Sequence, residues 1–323
     1  MRWRAGVLVL ATTVLTASST ASGQTNSNAF TFTKIAEGVY HAMGTGRLPV
    51  GGNIIVIVNE QDVMLVDASI SPTAARALLR ELAEITTKPV KYLVNTHFHF
   101  DHTNGNQVFG AGVEIIGHEF TRDQIASGKF RSGVAWGVFS NMTGVRVDDV
   151  MPTAPTLALS HDMTLFRGSR EIRLMNFGRG HTGGDVVVYL PAERIIITGD
   201  LYGGRRVAPD SGYNLPFLGD GYLDEWAEIV GKVGALEWDV MLPGHGPPIR
   251  DRAMTAKLRA VLAEFHRQGT ALLNQGFSVS DAEARMDLSA YAADFPALVN
   301  HAGVREWITI GLTRMRELRS KQP

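Results

Sequence analysis

The chain of 323 residues contains no cysteine. That excludes a disulfide framework, an iron–sulfur cluster, a thiolate zinc site, a cysteine nucleophile and a lipid anchor on cysteine. An excess of one charge is also missing: 31 basic and 32 acidic residues leave a formal net charge of −1. Neither a basic field that would draw nucleic acid nor an acidic tail is present. No P-loop and no dinucleotide fingerprint appears. Long apolar runs are absent too. Val7–Leu15 is too short for a bilayer, which needs about 20 residues, and no other stretch is long and apolar enough.

What is present is ordinary globular material, 45% hydrophobic and 20% charged, with 34 glycines that call for many tight turns. The short run Val7–Leu15 follows Arg2 and Arg4 and precedes small and polar residues from Thr16 to Gln24. This is the layout of a secretory signal peptide over residues 1–23, with cleavage expected near Gly23–Gln24. The expected location is periplasmic or secreted, with no stable membrane insertion after cleavage; an uncleaved anchor is the alternative. The two arginines are not adjacent, which argues against a twin-arginine signal.

The body alternates β-rich runs with amphipathic helical ones. Phe30–Val39, Asn53–Val58, Val63–Val66, Val90–Val94 and Val113–Ile116 read as strands, as do Thr164–Phe166, Ile172–Asn176, Val186–Leu190, Ile195–Thr198 and Val240–Leu242. Helices are expected over Ser71–Glu84, Glu119–Ala126, Leu223–Val233, Ala253–Asn274, Ser280–Tyr291 and Val304–Arg319. Gly44–Gly52 reads as a loop, and Ser127–Val150 as a long glycine-containing irregular segment. The order predicts a layered α/β domain with helices on both faces of sheet, then a helical C-terminal segment.

The chemistry sits at strand ends. Thr96-His97-Phe98-His99-Phe100-Asp101-His102 places three imidazoles and a carboxylate just after a buried strand. In an extended loop His97 and His99 can face one side, while Asp101 and His102 turn to a neighbouring position. Such donors suit zinc, with manganese or iron also possible. Further donors stand in similar glycine-rich contexts: His181 in GRGHTGGD, Asp200 in IIITGD and His245 in MLPGHG. Together they supply five histidines and two aspartates, enough for two metals. The remaining histidines, His41, His118, His161, His266 and His301, read as structural or surface residues.

HxHxDH followed by a spaced His, Asp and His resembles the motif set of the metallo-β-lactamase superfamily, over roughly Phe30 to Asp251. The resemblance implies a four-layer αββα sandwich over residues 30–251, with a helical segment 252–323 packed on it. It implies two zinc ions: His97, His99 and His181 on the first, Asp101, His102 and His245 on the second, and Asp200 bridging. Asp67, at the end of an early strand, matches an aspartate that orients the cluster from behind. A metal-bridging hydroxide would then attack a carbonyl substrate such as a lactone, ester, thioester or β-lactam, with Asp101 aiming it.

Within that family Asp200 resembles glyoxalase II, the lactonases and the phosphodiesterases rather than the cysteine-containing lactamases. Export and the span TGDLYGG to MLPGHG nevertheless resemble the lactamases, in which Arg205 and Arg206 would face a substrate carboxylate and Asn214 a lactam carbonyl. A β-lactamase proper, a phosphodiesterase and a non-hydrolytic iron-binding member are therefore the alternatives. The Gly44–Gly52 loop reads either as a flap over substrate or as a plain hairpin loop. Trp136 reads either as a wall of the cleft or as packing for the C-terminal helices. The stripe Trp307, Ile308, Ile310, Leu312 and Met315 reads as core or dimer interface. The partner expected is a small-molecule substrate and not nucleic acid; nothing in the sequence specifies an oligomeric state.

Overall fold

The structure is a computed structural model that describes residues 28–139, 150–204, 212–300 and 304–320. The expected signal peptide, and Arg205 and Arg206, lie outside the described residues. Among the described residues no helix is long and apolar enough to cross a membrane.

One sheet has seven strands in chain order: β1 (Phe30–Ala36), β2 (Val39–Gly44), β3 (Ile54–Val58), β4 (Val63–Val66), β5 (Val90–Val94), β6 (Glu114–His118) and β7 (Leu157–Leu159). The first four are antiparallel; β4 to β7 run parallel. The second sheet, in the order β12-β11-β10-β9-β8, contains β8 (Met163–Arg167), β9 (Arg170–Met175), β10 (Val187–Leu190), β11 (Ile195–Gly199) and β12 (Val240–Pro243). All its pairs are antiparallel except β11 with β12.

The period of two in a strand decides which layer each side chain joins. Ile55, Ile57, Met64 and Val66 meet Val188, Leu190, Ile195 and Ile197 in the apolar layer between the sheets. Their neighbours Ile54, Val56, Val63 and Leu65 turn the other way onto α1 (Pro72–Leu82), through Ala74, Leu78 and Leu82. On the far side Val187, Tyr189 and Ile196 meet α5 (Leu223–Gly234) and α6 (Ala253–Asn274), with Trp226 and Trp238 fully buried. Both faces of the central strands are thus covered, which is why these strands are apolar throughout and do not alternate with polar residues.

Short helices fill the connections: α2 (Phe100–Thr103), α3 (Glu119–Ala126) and α4 (Val134–Phe139). After α6 come α7 (Val279–Arg285), α8 (Ala297–Asn300) and α9 (Val304–Ser320). Ile308, Leu312 and Met315 of α9 enter the same apolar layer as Trp226 and Phe265. The C-terminal helices therefore extend the outer layer on the second sheet.

Three expectations change. The run Phe30–Val39 is two strands, because Gly38 turns the chain at φ 70°. Ser280–Tyr291 is a helix to Arg285 followed by a separate single turn at Ser289–Tyr291. The segment from Ser127 is not irregular where it is described: it holds a turn at Lys129–Ser132 and α4.

Candidate metal centre

The expected ligands all come to one end of the sheets, where β4, β5, β11 and β12 finish. Alternation shapes the loop after β5. His97 and His99 stand with ring centroids 4.7 Å apart, while Phe98 and Phe100 turn away into a separate cluster with Ile70, Ile125, Phe130 and Trp136. Trp136 packs 5.6 Å from the Phe100 ring, so it lies against the histidine loop and not on the C-terminal helices. The turn α2 then swings Asp101 and His102 to the adjoining position.

Three overlapping groups result: His97, His99 and His181; His97, His102 and Asp200; Asp101, His102 and His245. In each, the donor atoms lie within 4.8 Å of one another. Asp200 sits between the outer groups. Its Oδ1 is 3.6 Å from His102 Nε2, and its Oδ2 is 3.2 Å from His245 Nε2 and 3.8 Å from His181 Nε2.

Carboxylates behind the rings fix which nitrogen faces inward. Asp67 ends β4 in a left-handed conformation, φ 67°, that a short polar side chain tolerates. Its Oδ1 accepts from the Thr96 amide and its Oδ2 from the Thr96 hydroxyl, both at 2.8 Å. With its one proton directed at Asp67, that hydroxyl is left to accept from His97 Nδ1 at 3.0 Å. His102 Nδ1 donates directly to Asp67 Oδ2 at 2.7 Å. In both rings it is Nε2 that faces inward, and both of those atoms are buried without a hydrogen-bond partner, as is Asp200 Oδ1.

Asp220 performs the same office for His99. It accepts from His99 Nε2 at 3.1 Å, which leaves Nδ1 bare and 3.1 Å from His181 Nε2. Asp220 also accepts the backbone N–H groups of Val134 and Ala135 at the start of α4. Asp185 shapes the loop that carries His181, accepting from the Thr182 amide and hydroxyl and the Gly180 amide. Sequence reasoning missed both aspartates. For Asp220 the sole local signal was a carboxylate between two glycines.

Electrostatics follow from this crowding. Burial pushes the His97 imidazole well down, and His181 down to about 3, so both stay neutral acceptors. Burial would lower His245 and His102 too, but Asp200 and Asp101 outweigh it, holding His245 up at about 10 and His102 well above its ordinary value. Burial would raise Asp101, Asp200 and Asp220; the facing imidazoles outweigh it and hold all three carboxyls low, Asp220 at about 2. Burial does dominate at Asp185, which is raised to about 7.

This donor set fits divalent metal. The nearest donors stand 3.1 Å (His99, His181), 3.2 Å (His245, Asp101) and 3.4 Å (His102, Asp101) apart. A tetrahedron with zinc–nitrogen bonds of about 2.0–2.1 Å has an edge of about 3.3 Å. Backbone closes on the site at two glycines. A Cβ on Gly52 would strike the His102 ring, and one on Gly244 would strike Asp200 Oδ1. The Asp101 and His245 side is the open one, with the His245 side chain 44% exposed. Asn214 is exposed on a loop whose backbone N–H donates to Gly204 O at 2.9 Å.

The profile described as "Metallo-beta-lactamase superfamily" matches residues 47–245, the span that carries every one of these donors. Among curated proteins, the chain is 24% identical over 268 residues to a linear primary-alkylsulfatase of Pseudomonas sp. (strain ATCC 19151), covering 73% of this chain and 50% of that one. It is 28% identical to the 2,4-dinitroanisole O-demethylase subunit alpha of Nocardioides sp. (strain JS1661), covering 59% and 51%. It is also 28% identical to the probable metallo-hydrolase YqjP of Bacillus subtilis (strain 168), covering 62% and 69%. The chain thus spans about half the length of the first two relatives. Among solved structures, a metallo-beta-lactamase from Pontibacter korlensis superposes with a TM-score of 0.58 at 22% identity, over 72% of this chain and 99% of that one. The FIM-1 metallo-beta-lactamase from Pseudomonas aeruginosa does so at 0.57 and 21%, over 73% and 95%. Two sheets flanked by helices are the fold these structures share, and with the profile matched over more than half of its length the chain belongs to the metallo-beta-lactamase superfamily.

Proposed function

We propose that the chain is an exported hydrolase that uses two divalent metal ions, zinc by its donor chemistry, on a small ester, lactone or thioester. The observation that carries this reading is the pair of donor groups joined by Asp200, with buried nitrogens aimed inward by Asp67 and Asp220. Nitrogen and carboxylate donors suit zinc, and also manganese or iron. Bound there, the ions would supply a nucleophile from water at neutral pH and positive charge against the developing oxyanion.

The chain's own residues do the rest. His97, His99 and His181 would hold one ion. Asp101, His102 and His245 would hold the other, with Asp200 standing between the two sets and within reach of both. Asp101, on the open side beside His245, can orient the attacking water by accepting a hydrogen bond from it. Carboxylate at position 200, in a chain without cysteine, favours an ester-type substrate over the β-lactam of a cysteine-containing enzyme. The near-neutral net charge disfavours nucleic acid. A second reading has specific support: the likeness to a linear primary-alkylsulfatase covers 73% of the chain, so a sulfate ester is a substrate class to test. Export rests on the Arg2–Gln24 segment and predicts a mature N-terminus near Gln24.

The test is metal analysis of the purified chain by mass spectrometry. It is paired with hydrolysis of a homoserine lactone, a thioester, an alkyl sulfate, bis-p-nitrophenyl phosphate and nitrocefin, each with and without chelator. Two metal equivalents and chelator-sensitive turnover of lactone or thioester are expected. Dominant turnover of nitrocefin or of the alkyl sulfate would replace the substrate class. A chain that binds no divalent metal would overturn the reading itself.

A further inference from the structure

Helix α9 lies outside the span that matches the family profile, and it has two working faces. One, Ile308, Leu312 and Met315, is core. The other, Trp307, Ile310, Gly311 and Arg314, follows the i, i+3, i+4, i+7 spacing of a single helical stripe and meets the loop that carries Asp220.

The contacts bracket that aspartate. Trp307 stands edge-on to Phe217, with centroids 5.8 Å apart and planes at 90°. Phe217 in turn lies 6.4 Å from the ring of His99. A Cβ on Gly219 would come within 2.9 Å of Ile310 Cγ2, and one on Gly311 within 3.0 Å of Leu218 Cδ1. On the other side of Asp220, Arg314 Nε donates to the Gly221 carbonyl at 3.1 Å, and its guanidinium lies 5.0 Å from the centre of the Tyr222 ring. The loop is therefore gripped at residues 217, 218, 219, 221 and 222, leaving Asp220 between the grips. Its carboxylate has one defined place, 3.1 Å from His99 Nε2.

We infer that Trp307 and Arg314 of α9 are positioning residues for the metal centre, acting through Asp220 on His99. The inference rests on the proposed metal site. A ring held by a fixed carboxylate presents its bare nitrogen in one direction only, and losing such an outer partner typically costs 10- to 100-fold in metal affinity. Without α9 the Phe217–Tyr222 loop would lose its outer support, and only the Val134 and Ala135 amides would remain to hold Asp220 against His99.

A double-mutant cycle on the full chain tests this. Zinc affinity is measured by competition with a chromophoric chelator for wild type, Arg314→Ala, Trp307→Leu, Asp220→Ala and the doubles Arg314→Ala/Asp220→Ala and Trp307→Leu/Asp220→Ala. Circular dichroism and thermal melts check folding. Each α9 single variant is expected to weaken the tighter zinc site about 10-fold, within the range for outer-partner loss, and to have no further effect once Asp220 is alanine. Arg314→Lys, which keeps a donor for the Gly221 carbonyl, is expected to restore part of the affinity. Wild-type affinity in both single variants, or losses that add fully to that of Asp220→Ala, would overturn the inference while leaving the metal site standing. A wild-type chain that binds no zinc would overturn both together.

Discussion

At the scale of single residues, the centre is a problem of convergence. Seven donors from four stretches of chain must point their free atoms inward, and the residues behind them decide whether they do. His97 is the clearest case: Thr96 and Asp67 fix its Nδ1, and its Nε2 is buried with no protein partner. Replacing it with alanine removes a donor shared by two of the three groups. His97→Ala is expected to fold, to lose metal content by mass spectrometry, and to lose about 10³-fold in kcat/KM. That loss is what about 4 kcal/mol of missing transition-state stabilisation amounts to. Near-native turnover with full metal would show that the ring is not a ligand. The grouping of the candidate donors from His97 to His102 was legible because they are contiguous, so spacing alone brings them together. Asp220 was not: its partner His99 lies 121 positions away, and no local pattern records a bond across that distance. Asp67 could be placed only by resemblance, for its role depends on a left-handed backbone at the end of β4 that composition does not announce.

At the scale of elements, start and stop signals were local and therefore readable. Helix α1 begins where Ser71 accepts from the Ala74 amide at 3.2 Å and Pro72 takes the first helical position, a site that spares a missing donor. Ser71→Ala is expected to cost about 1 kcal/mol in urea unfolding, typical of a lost cap, with metal content unchanged. A change in metal content would instead make this cap part of the site. The end of β12 behaves differently. Gly244 lies where a Cβ would collide with Asp200 Oδ1, so Gly244→Ala must displace the carboxylate proposed to join the two ions. The expected outcome is a protein that keeps its circular dichroism spectrum and binds less than its full complement of metal. Helix α4, by contrast, was read as irregular chain. It begins at residues whose amides are satisfied by Asp220, 85 and 86 positions later, so its first-turn partner lies beyond any local window.

At the scale of the whole molecule, the unbroken apolar character of Ile54–Val58 or of Ile195–Ile197 says that a strand is covered on both faces. It does not say by what; the sharing of one apolar layer by Trp226, Phe265 and Leu312 is a tertiary fact. The same close packing buries a titratable group that is not one of the seven donors. His41, on β2, is 1% exposed; it is bonded to the Gly246 backbone, and its Nε2 has no partner. Burial lowers its imidazole to about 4, from an ordinary value of 6.5. Because the folded form resists protonation, the unfolded chain binds the extra proton first as pH falls. Stability is therefore held above about pH 6.5 and lost progressively down to about pH 4, and the loss between about pH 7 and about pH 5 comes to about 2 kcal/mol. The ligand histidines also titrate in metal-free protein, His181 in the same direction and His102 and His245 in the opposite one. The informative comparison is therefore wild type against His41→Gln, both stripped of metal, by urea unfolding at the two pH values. The ligands contribute equally to both proteins and cancel in the difference. The wild type is expected to lose about 2 kcal/mol more than the variant on acidification. Equal losses would mean that burial does not lower the ring, which then takes up its proton over the same pH range folded as unfolded.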